Sequence, residues 1–294
     1  MTIGYHALVV RPVHFAADLL TLCRPVAAFC AGVQVAIGAH LTWRTTPSPV
    51  SDTTLLRACV VIVLIVATVN VVNDIVDVSA DAISQPSRPL AAGRVPTAAA
   101  WCLASAQALT AVVCSVGIPG AVGVTMALIA IGLCYDFVLK GTVLAGNFVV
   151  AVLAATPIVF GGWLGRAEPR AVLLTASIIF LYMFAYEILK TARDEVADRT
   201  SGYRTVATQW GVHTTSVLFR GLLTGYAVVA ATPLLLPHVS WRYGLLMLPC
   251  AVLPPLCFGW VMPVARSDDA VRVVLRVMAL SWFPGLAAFA LGFR

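Results

Sequence analysis

Asn70, Asn73, Asp74, Asp77 and Asp81 recur at helical spacing, and a second acidic segment, Arg193-Asp194-Glu195-Val-Ala-Asp198, follows far along the chain. The first set falls along one stripe of a helix, and Asp194 and Asp198, four residues apart, face the same way. Each segment ends a long apolar run, where ionised groups are costly and mark function. Carboxylate and amide oxygens suit Mg²⁺, which keeps several waters and shares the phosphate oxygens of a substrate. Two facing carboxylate stripes repel unless cations lie between them, so the pair points to one shared metal site. Two other readings stand beside it. The acids can be the wet ends of helices, neutralised by Arg88, Arg193 and Arg199, or they can belong to an ion-coupled transport pathway.

The elements that carry these residues are membrane helices. Of 294 residues 60% are hydrophobic and only 11% are charged, against roughly 25% charged in a soluble domain. Apolar stretches long enough for a hydrocarbon core predict about nine transmembrane helices. Their cores run over residues 26–43, 55–72, 98–116, 121–135, 143–161, 171–189, 215–236, 243–264 and 271–291. Pro157, Pro233, Pro254 and Pro255 kink or end their helices. Residues 1–21 are amphipathic, carry Arg11, His14 and Asp18, and read as an interfacial segment. No repeat or linker divides the chain, so the expectation is an all-α, polytopic single domain over residues 1–294. The eight cysteines are scattered through apolar runs without ligand spacing and read as small buried hydrophobes.

The net charge of +6 is spread over separate short loops and gives no nucleic-acid signature. It does give a topology. With nine spans, Arg11, Arg24, Arg88, Arg94, Lys140, Arg193, Arg199, Arg204, Arg266, Arg272 and Arg276 share one face, and fewer basic residues occupy the other. The positive-inside rule puts the richer face, with both acidic segments and Lys140, in the cytoplasm.

The motif Asn73-Asp74-x-x-Asp77-x-x-x-Asp81, followed by Ile83, Pro86 and Arg88-Pro89-Leu90-x-x-Gly93, resembles the first signature of the UbiA family of intramembrane prenyltransferases. Glu187-Ile-Leu-Lys190-x-x-x-Asp194-x-x-x-Asp198-Arg199, with Gly202-x-Arg204-Thr205 and Gly211, resembles the second. Tyr135-x-x-x-Leu139-Lys140 with Gly146-Asn147 resembles the loop between them. The resemblance implies helices around a central cavity with a cytoplasmic cap. It also implies that Asn73, Asp77, Asp81, Asp194 and Asp198 bind Mg²⁺ ions holding an isoprenyl diphosphate. Lys140 and Arg88, with Lys190 and Arg204, would neutralise the diphosphate, and Asn70, Asp74, Arg24 and Asn147 would contact substrate. One departure is Thr191, where relatives of this pattern carry an aspartate. Another is Asp136, which reads either as a substitute acid or as a surface residue.

The implied chemistry is ionisation of an allylic diphosphate and capture of the cation by an aromatic or other lipophilic acceptor. Tyr135 and Tyr186 can face the cation or anchor helix ends at the interface. An intramembrane terpene cyclase would use the same ionisation without an acceptor, and Thr191 favours it. A transporter is the alternative of another class.

Overall fold

The computed structural model describes residues 12–41 and 50–293, and every regular element among them is helical. The helices are α1 (Pro12–Leu22), α2 (Pro25–His40), α3 (Asp52–Val76), α4 (Val78–Ser84), α5 (Thr97–Ser115), α6 (Ala121–Cys134), α7 (Ala145–Leu164), α8 (Pro169–Arg193), α9 (Glu195–Thr200), α10 (Val206–Ala231), α11 (Trp241–Leu246), α12 (Leu253–Val261) and α13 (Asp268–Gly292). A π-helical turn, Tyr135–Leu139, prolongs α6, and a second, Met247–Val252, joins α11 to α12. Among the described residues, eight helical stretches are long and apolar enough to cross a membrane. The ninth expected span, α2, has 16 residues and meets that test only together with α1, across a bend of 48°.

The bend has a local cause. Pro25 opens α2 and disfavours α-helical backbone in the residue before it, and Arg24 adopts a left-handed conformation with φ 45 and ψ 63. Helix α1 therefore turns aside. It lays Phe15, Leu19 and Leu22 on Val71, Val72 and Val95 near the end of α3, and Asp18 pairs with Arg94 at 3.1 Å. Arg24 is left at the joint, its side chain directed to the acidic end of α3.

The spans pack α3 against α2 and α5, α7 against α2 and α8, and α8 against α10 and α13. The α2–α7 crossing is backbone to backbone. A Cβ on Gly161 would meet the Val35 carbonyl and lie 3.0 Å from the Ala39 nitrogen, and one on Gly165 would lie 2.6 Å from the Ala39 Cα. Small residues permit this approach where lipid provides no hydrophobic drive between helices. Pro254 and Pro255 fall at the start of α12 and Pro233 in the 3₁₀ turn Thr232–Leu235, where helical bonding is already interrupted, whereas Pro157 lies inside α7, which continues past it.

The structure corrects the reading of the eight cysteines as buried, since Cys30 alone is buried within the protein and Cys102, Cys134, Cys250 and Cys257 are exposed on it, and it corrects the expected acidic stripe. Residues 70–81 do not form one continuous stripe, because α3 ends at Val76, Asp77 turns with φ −88 and ψ 1, and α4 carries Asp81 in a new direction. The second segment is built alike: α8 ends at Arg193, Asp194 turns with φ −96 and ψ 7, and α9 carries Asp198. Aspartate is a weak helix-interior residue, and both turns fall where a span leaves the apolar core. The backbone bonding of the two joints matches. The Asp77 N–H donates to Asn73 O at 3.0 Å and that of Asp194 to Lys190 O at 3.0 Å, while the Asp81 and Asp198 N–H groups donate back to the joints at 2.8 Å each. Helices α4 and α9 pack on each other, so the two joints face across one opening.

Candidate active site

Inside the bundle lies a cavity of about 820 Å³. Its deep walls are apolar, from Ile62, Ile65 and Val69 of α3, Leu153 and Pro157 of α7, and Met278 and Phe283 of α13. Its mouth is polar. Arg24, Asn70, Asn73, Asp77, Asp81, Arg88, Tyr135, Lys140, Asn147, Lys190, Asp194 and Asp198 all line it, so the two acidic segments and the middle loop converge on one opening.

Three of the four joint acids at the mouth lean on a base, Asp198 being the exception. Lys140 donates to Asp77 Oδ2, Arg88 to Asp81 at 2.6 Å, and Arg193 to Asp194 at 2.7 Å. Lys190 is held by both oxygens of Glu187 at 2.9 Å. Asn147 donates to the Glu187 carbonyl at 3.3 Å, tying α7 to α8 beside the mouth.

Two residues expected at the substrate lie elsewhere. Asp74 is buried behind the mouth and does not line the cavity; it accepts from Arg24 at 2.6 Å and from Arg88 at 3.0 Å. Arg24 also reaches Asn70 at 3.2 Å and Asn73 at 3.4 Å. Asp74 thus gathers two arginines that do face the cavity. The Arg204 side chain is exposed outside the lining, and its backbone N–H donates to Gly141 O at 3.2 Å. The open question at Asp136 is resolved, since it is 2% exposed and accepts from the Asn73 amide at 2.9 Å. It is no surface residue. Thr191 is buried, with its hydroxyl donated to Ile188 O at 2.8 Å.

The joints carry more negative charge than their bases relieve. Burial, and then the neighbouring Asp194, push the Asp198 carboxyl up to about 6. Burial also raises Asp81 above the usual carboxylate range despite Arg88 beside it. Among the described residues no three His, Cys, Asp or Glu side chains converge closely enough to grip a metal as they stand. The donor set nevertheless fits a hard cation: it is oxygen only, Asp77 Oδ1 is buried without a partner, and Asp194 and Asp198 crowd each other.

Several lining residues carried no sequence signal. Gln34 is a lone polar residue in the apolar run of α2, and Trp282 read as one more apolar residue of the last span. Tyr203 lies between two residues of the second signature, Gly202 and Arg204, and its ring packs 3.2 Å from where a Gly141 Cβ would stand.

Comparison with known proteins agrees with this architecture. The profile of the UbiA prenyltransferase family matches residues 29–291. A digeranylgeranylglyceryl phosphate synthase of Methanopyrus kandleri is 30% identical, with 92% of this chain and 97% of that protein covered. The enzyme of the same name from Methanoculleus marisnigri is 35% identical, covering 78% of this chain and 79% of its own length. Among solved structures, a digeranylgeranylglyceryl phosphate synthase superposes with a TM-score of 0.71 at 21% identity, over 95% of this chain and 98% of that one. A UbiA homolog from Archaeoglobus fulgidus bound to GPP and Mg²⁺ superposes with a TM-score of 0.65 at 17% identity, over 93% and 100%. The chain therefore belongs to the UbiA prenyltransferase family and is a membrane-embedded prenyltransferase, not the ion-coupled transporter that its buried acids alone left open.

Proposed function

We propose that this chain transfers a geranylgeranyl group from its diphosphate to the free hydroxyl of a prenylated glyceryl phosphate, with Mg²⁺ held by Asn73, Asp77, Asp81, Asp194 and Asp198. The observation that carries this reading is the convergence of two matching acidic joints, with Arg88 and Lys140, over one apolar cavity. The names of the curated relatives support the donor length and the acceptor class. Basic residues are richer on the side of the mouth, which supports a cytoplasmic orientation for it.

Bound Mg²⁺ would relieve the repulsion between the carboxylates and act as a Lewis acid toward the diphosphate. Lys140 and Arg88 exchange their carboxylate partners for phosphate oxygens through charge-assisted hydrogen bonds. The C1–O bond breaks and both bonding electrons leave with the diphosphate, so these cations stand where negative charge develops. Tyr135 and Tyr186 line the same end of the cavity, where ring faces stabilise an allylic cation. The apolar walls keep water from that cation. The acceptor oxygen then bonds to C1, and its proton passes to the departing diphosphate. Lys190 and Arg193 also line the mouth and in this reading hold the acceptor phosphate, while exposed Arg204 adds to the positive potential outside.

One observation favours a second reading. Thr191 puts a hydroxyl committed to the backbone where relatives of this pattern carry an acid, and ionisation without acceptor capture, as in a terpene cyclase, needs no acid to orient an acceptor.

The test is product analysis by mass spectrometry. Membranes containing the protein are incubated with geranyl, farnesyl or geranylgeranyl diphosphate and Mg²⁺, with and without geranylgeranylglyceryl phosphate and a panel of phenolic acceptors. A prenylated glyceryl phosphate formed only with its acceptor supports the proposal. A prenylated phenol would replace the acceptor, a terpene made without any acceptor would replace transfer by cyclisation, and no consumption of any donor would refute both readings.

A further inference from the structure

A glycine decides where Tyr203 stands. Just beyond α9, Gly202 has φ 76, the left-handed conformation that closes a helix. The Gly202 N–H donates to Arg199 O at 3.2 Å and the Tyr203 N–H to Asp198 O at 2.8 Å, so the chain doubles back and sets Tyr203 beside the second joint. The Tyr203 carbonyl accepts from Thr208 Oγ1 at 3.0 Å, which fixes the backbone on its other side. Its ring rests on Gly141, where an added Cβ would stand 3.2 Å from it, and the Arg204 N–H donates to Gly141 O at 3.2 Å. Lys140, next to Gly141, reaches Asp77 of the first joint. Tyr203 is thus held between the loop that carries Lys140 and the turn that ends α9.

The phenol lines the mouth of the cavity. Four carboxylates act on it: Asp77 and Asp81 of the first joint, Asp198 of the second, and Asp136. Burial, and then these carboxylates, hold it above its ordinary range, so it keeps its proton. Among the described residues no group accepts that hydrogen, whereas Lys140 and Arg88 must give up a carboxylate before they can serve a phosphate. A neutral donor forms no ion pair with the acids around it, so none has to be broken. An O–H donated to a phosphate oxygen is short and charge-assisted.

We propose that Tyr203 is a further substrate-binding residue, its hydroxyl donating to the diphosphate held between the two joints; this rests on the diphosphate binding at the mouth as read above. The ring on Gly141 keeps that hydroxyl in place.

The experiment is isothermal titration of the full-length, detergent-purified protein with inorganic diphosphate in saturating Mg²⁺, for the wild type, Tyr203→Phe and Tyr203→Leu, with thermal unfolding of each. Tyr203→Phe keeps the ring on Gly141 and removes only the donor. It is expected to raise the diphosphate Kd by about tenfold, which is about 1.4 kcal/mol, with melting unchanged. Tyr203→Leu is expected to weaken diphosphate at least as much and to melt earlier, because the ring contact is lost too. Wild-type affinity in Tyr203→Phe would overturn the assignment, and so would a loss of affinity accompanied by the earlier melting of Tyr203→Leu, which would make Tyr203 a packing residue. A raised KM for the acceptor with an unchanged diphosphate Kd would overturn it as well, by moving the hydroxyl to the acceptor phosphate. A wild type that binds no diphosphate would overturn this inference and the site reading together. Binding that Tyr203→Phe weakens, in a protein that consumes no donor, would support the inference while the transfer reading fails.

Discussion

Asp74→Asn should damage donor binding and stability together while leaving the chemical step nearly intact. Asp74 has a side chain 5% exposed, is held by Arg24 at 2.6 Å and Arg88 at 3.0 Å, and does not line the cavity. Breaking a buried ion pair by removing one partner costs about 3–5 kcal/mol. Here the arginines are 35% and 22% exposed, so solvent screens them and the lower end, about 2–3 kcal/mol, is expected. Arg88 keeps Asp81 at 2.6 Å, and Arg24 keeps Asn70 and Asn73 at 3.2 and 3.4 Å. Neither arginine leaves the mouth, but neither is pinned there. A charged hydrogen bond is worth about 1.5–3 kcal/mol, so the loss of one well-placed contact to phosphate should raise the donor KM by about tenfold or more.

The assay is steady-state diphosphate release with varied donor, alongside thermal unfolding of the detergent-purified protein. The expected pattern is a lower melting temperature, a raised KM and a kcat within a few-fold of the wild type. Wild-type melting with wild-type KM would refute the idea that Asp74 organises the two arginines. Loss of kcat with an unchanged KM would refute it in another way, by making Asp74 a direct participant.

Asp77→Asn and Asp194→Asn should do the reverse, with turnover falling by about a thousandfold, the value of one unit charge interaction near 4 kcal/mol at 4 Å and an effective dielectric of 20, and with the membrane-inserted protein still folded. Full activity in either variant would remove the shared metal site. Asp136→Leu strips the partner from the Asn73 amide, and should weaken Mn²⁺ binding, read by electron paramagnetic resonance, by about 10–100-fold, the usual effect of losing a residue that orients a metal ligand; unchanged Mn²⁺ affinity would show that Asn73 needs no such support. Gly161→Leu forces α2 and α7 apart at a backbone contact, and should lower the melting temperature and the yield of folded protein, whereas Gly123→Leu, where nothing stands within 4 Å of the added Cβ, should leave both near wild type.

The sequence was most legible where chemistry and hydropathy point the same way. Acids spaced at three and four residues at the end of an apolar run identify the face of the mouth, and Lys140 joins them because its loop falls on the same side. Direction was harder to read. Nothing in Asn70 to Asp81 announces that the helix ends at Val76, since Asp77 carries no capping bond of its own and the break is visible only in its backbone. For that reason Asp74 reads as a neighbour of Asp77 but points behind it. Nothing in the sequence announces the left-handed turn at Arg24, which turns its side chain to the acids at the end of α3. Gln34 could not be found from spacing, because a single amide in an apolar helix has no partner in the sequence to reveal what it faces.

The two joints explain why Asp77, Asp81, Asp194 and Asp198 are not placed within the spans. A carboxylate inside a long helix would sit in the hydrocarbon region, where its cost is highest. At Asp77 and Asp194 the chain leaves the span and re-enters a short helix through the same pair of backbone bonds, 3.0 Å on one side and 2.8 Å on the other. Each joint therefore holds one acid at the rim and directs a second, four residues on, across the opening. Because α4 and α9 pack on each other, the position of one joint constrains the other. Variants that loosen the α4–α9 contact should thus weaken binding at both acidic pairs at once, while variants within the apolar walls should change only which chain fits beneath them.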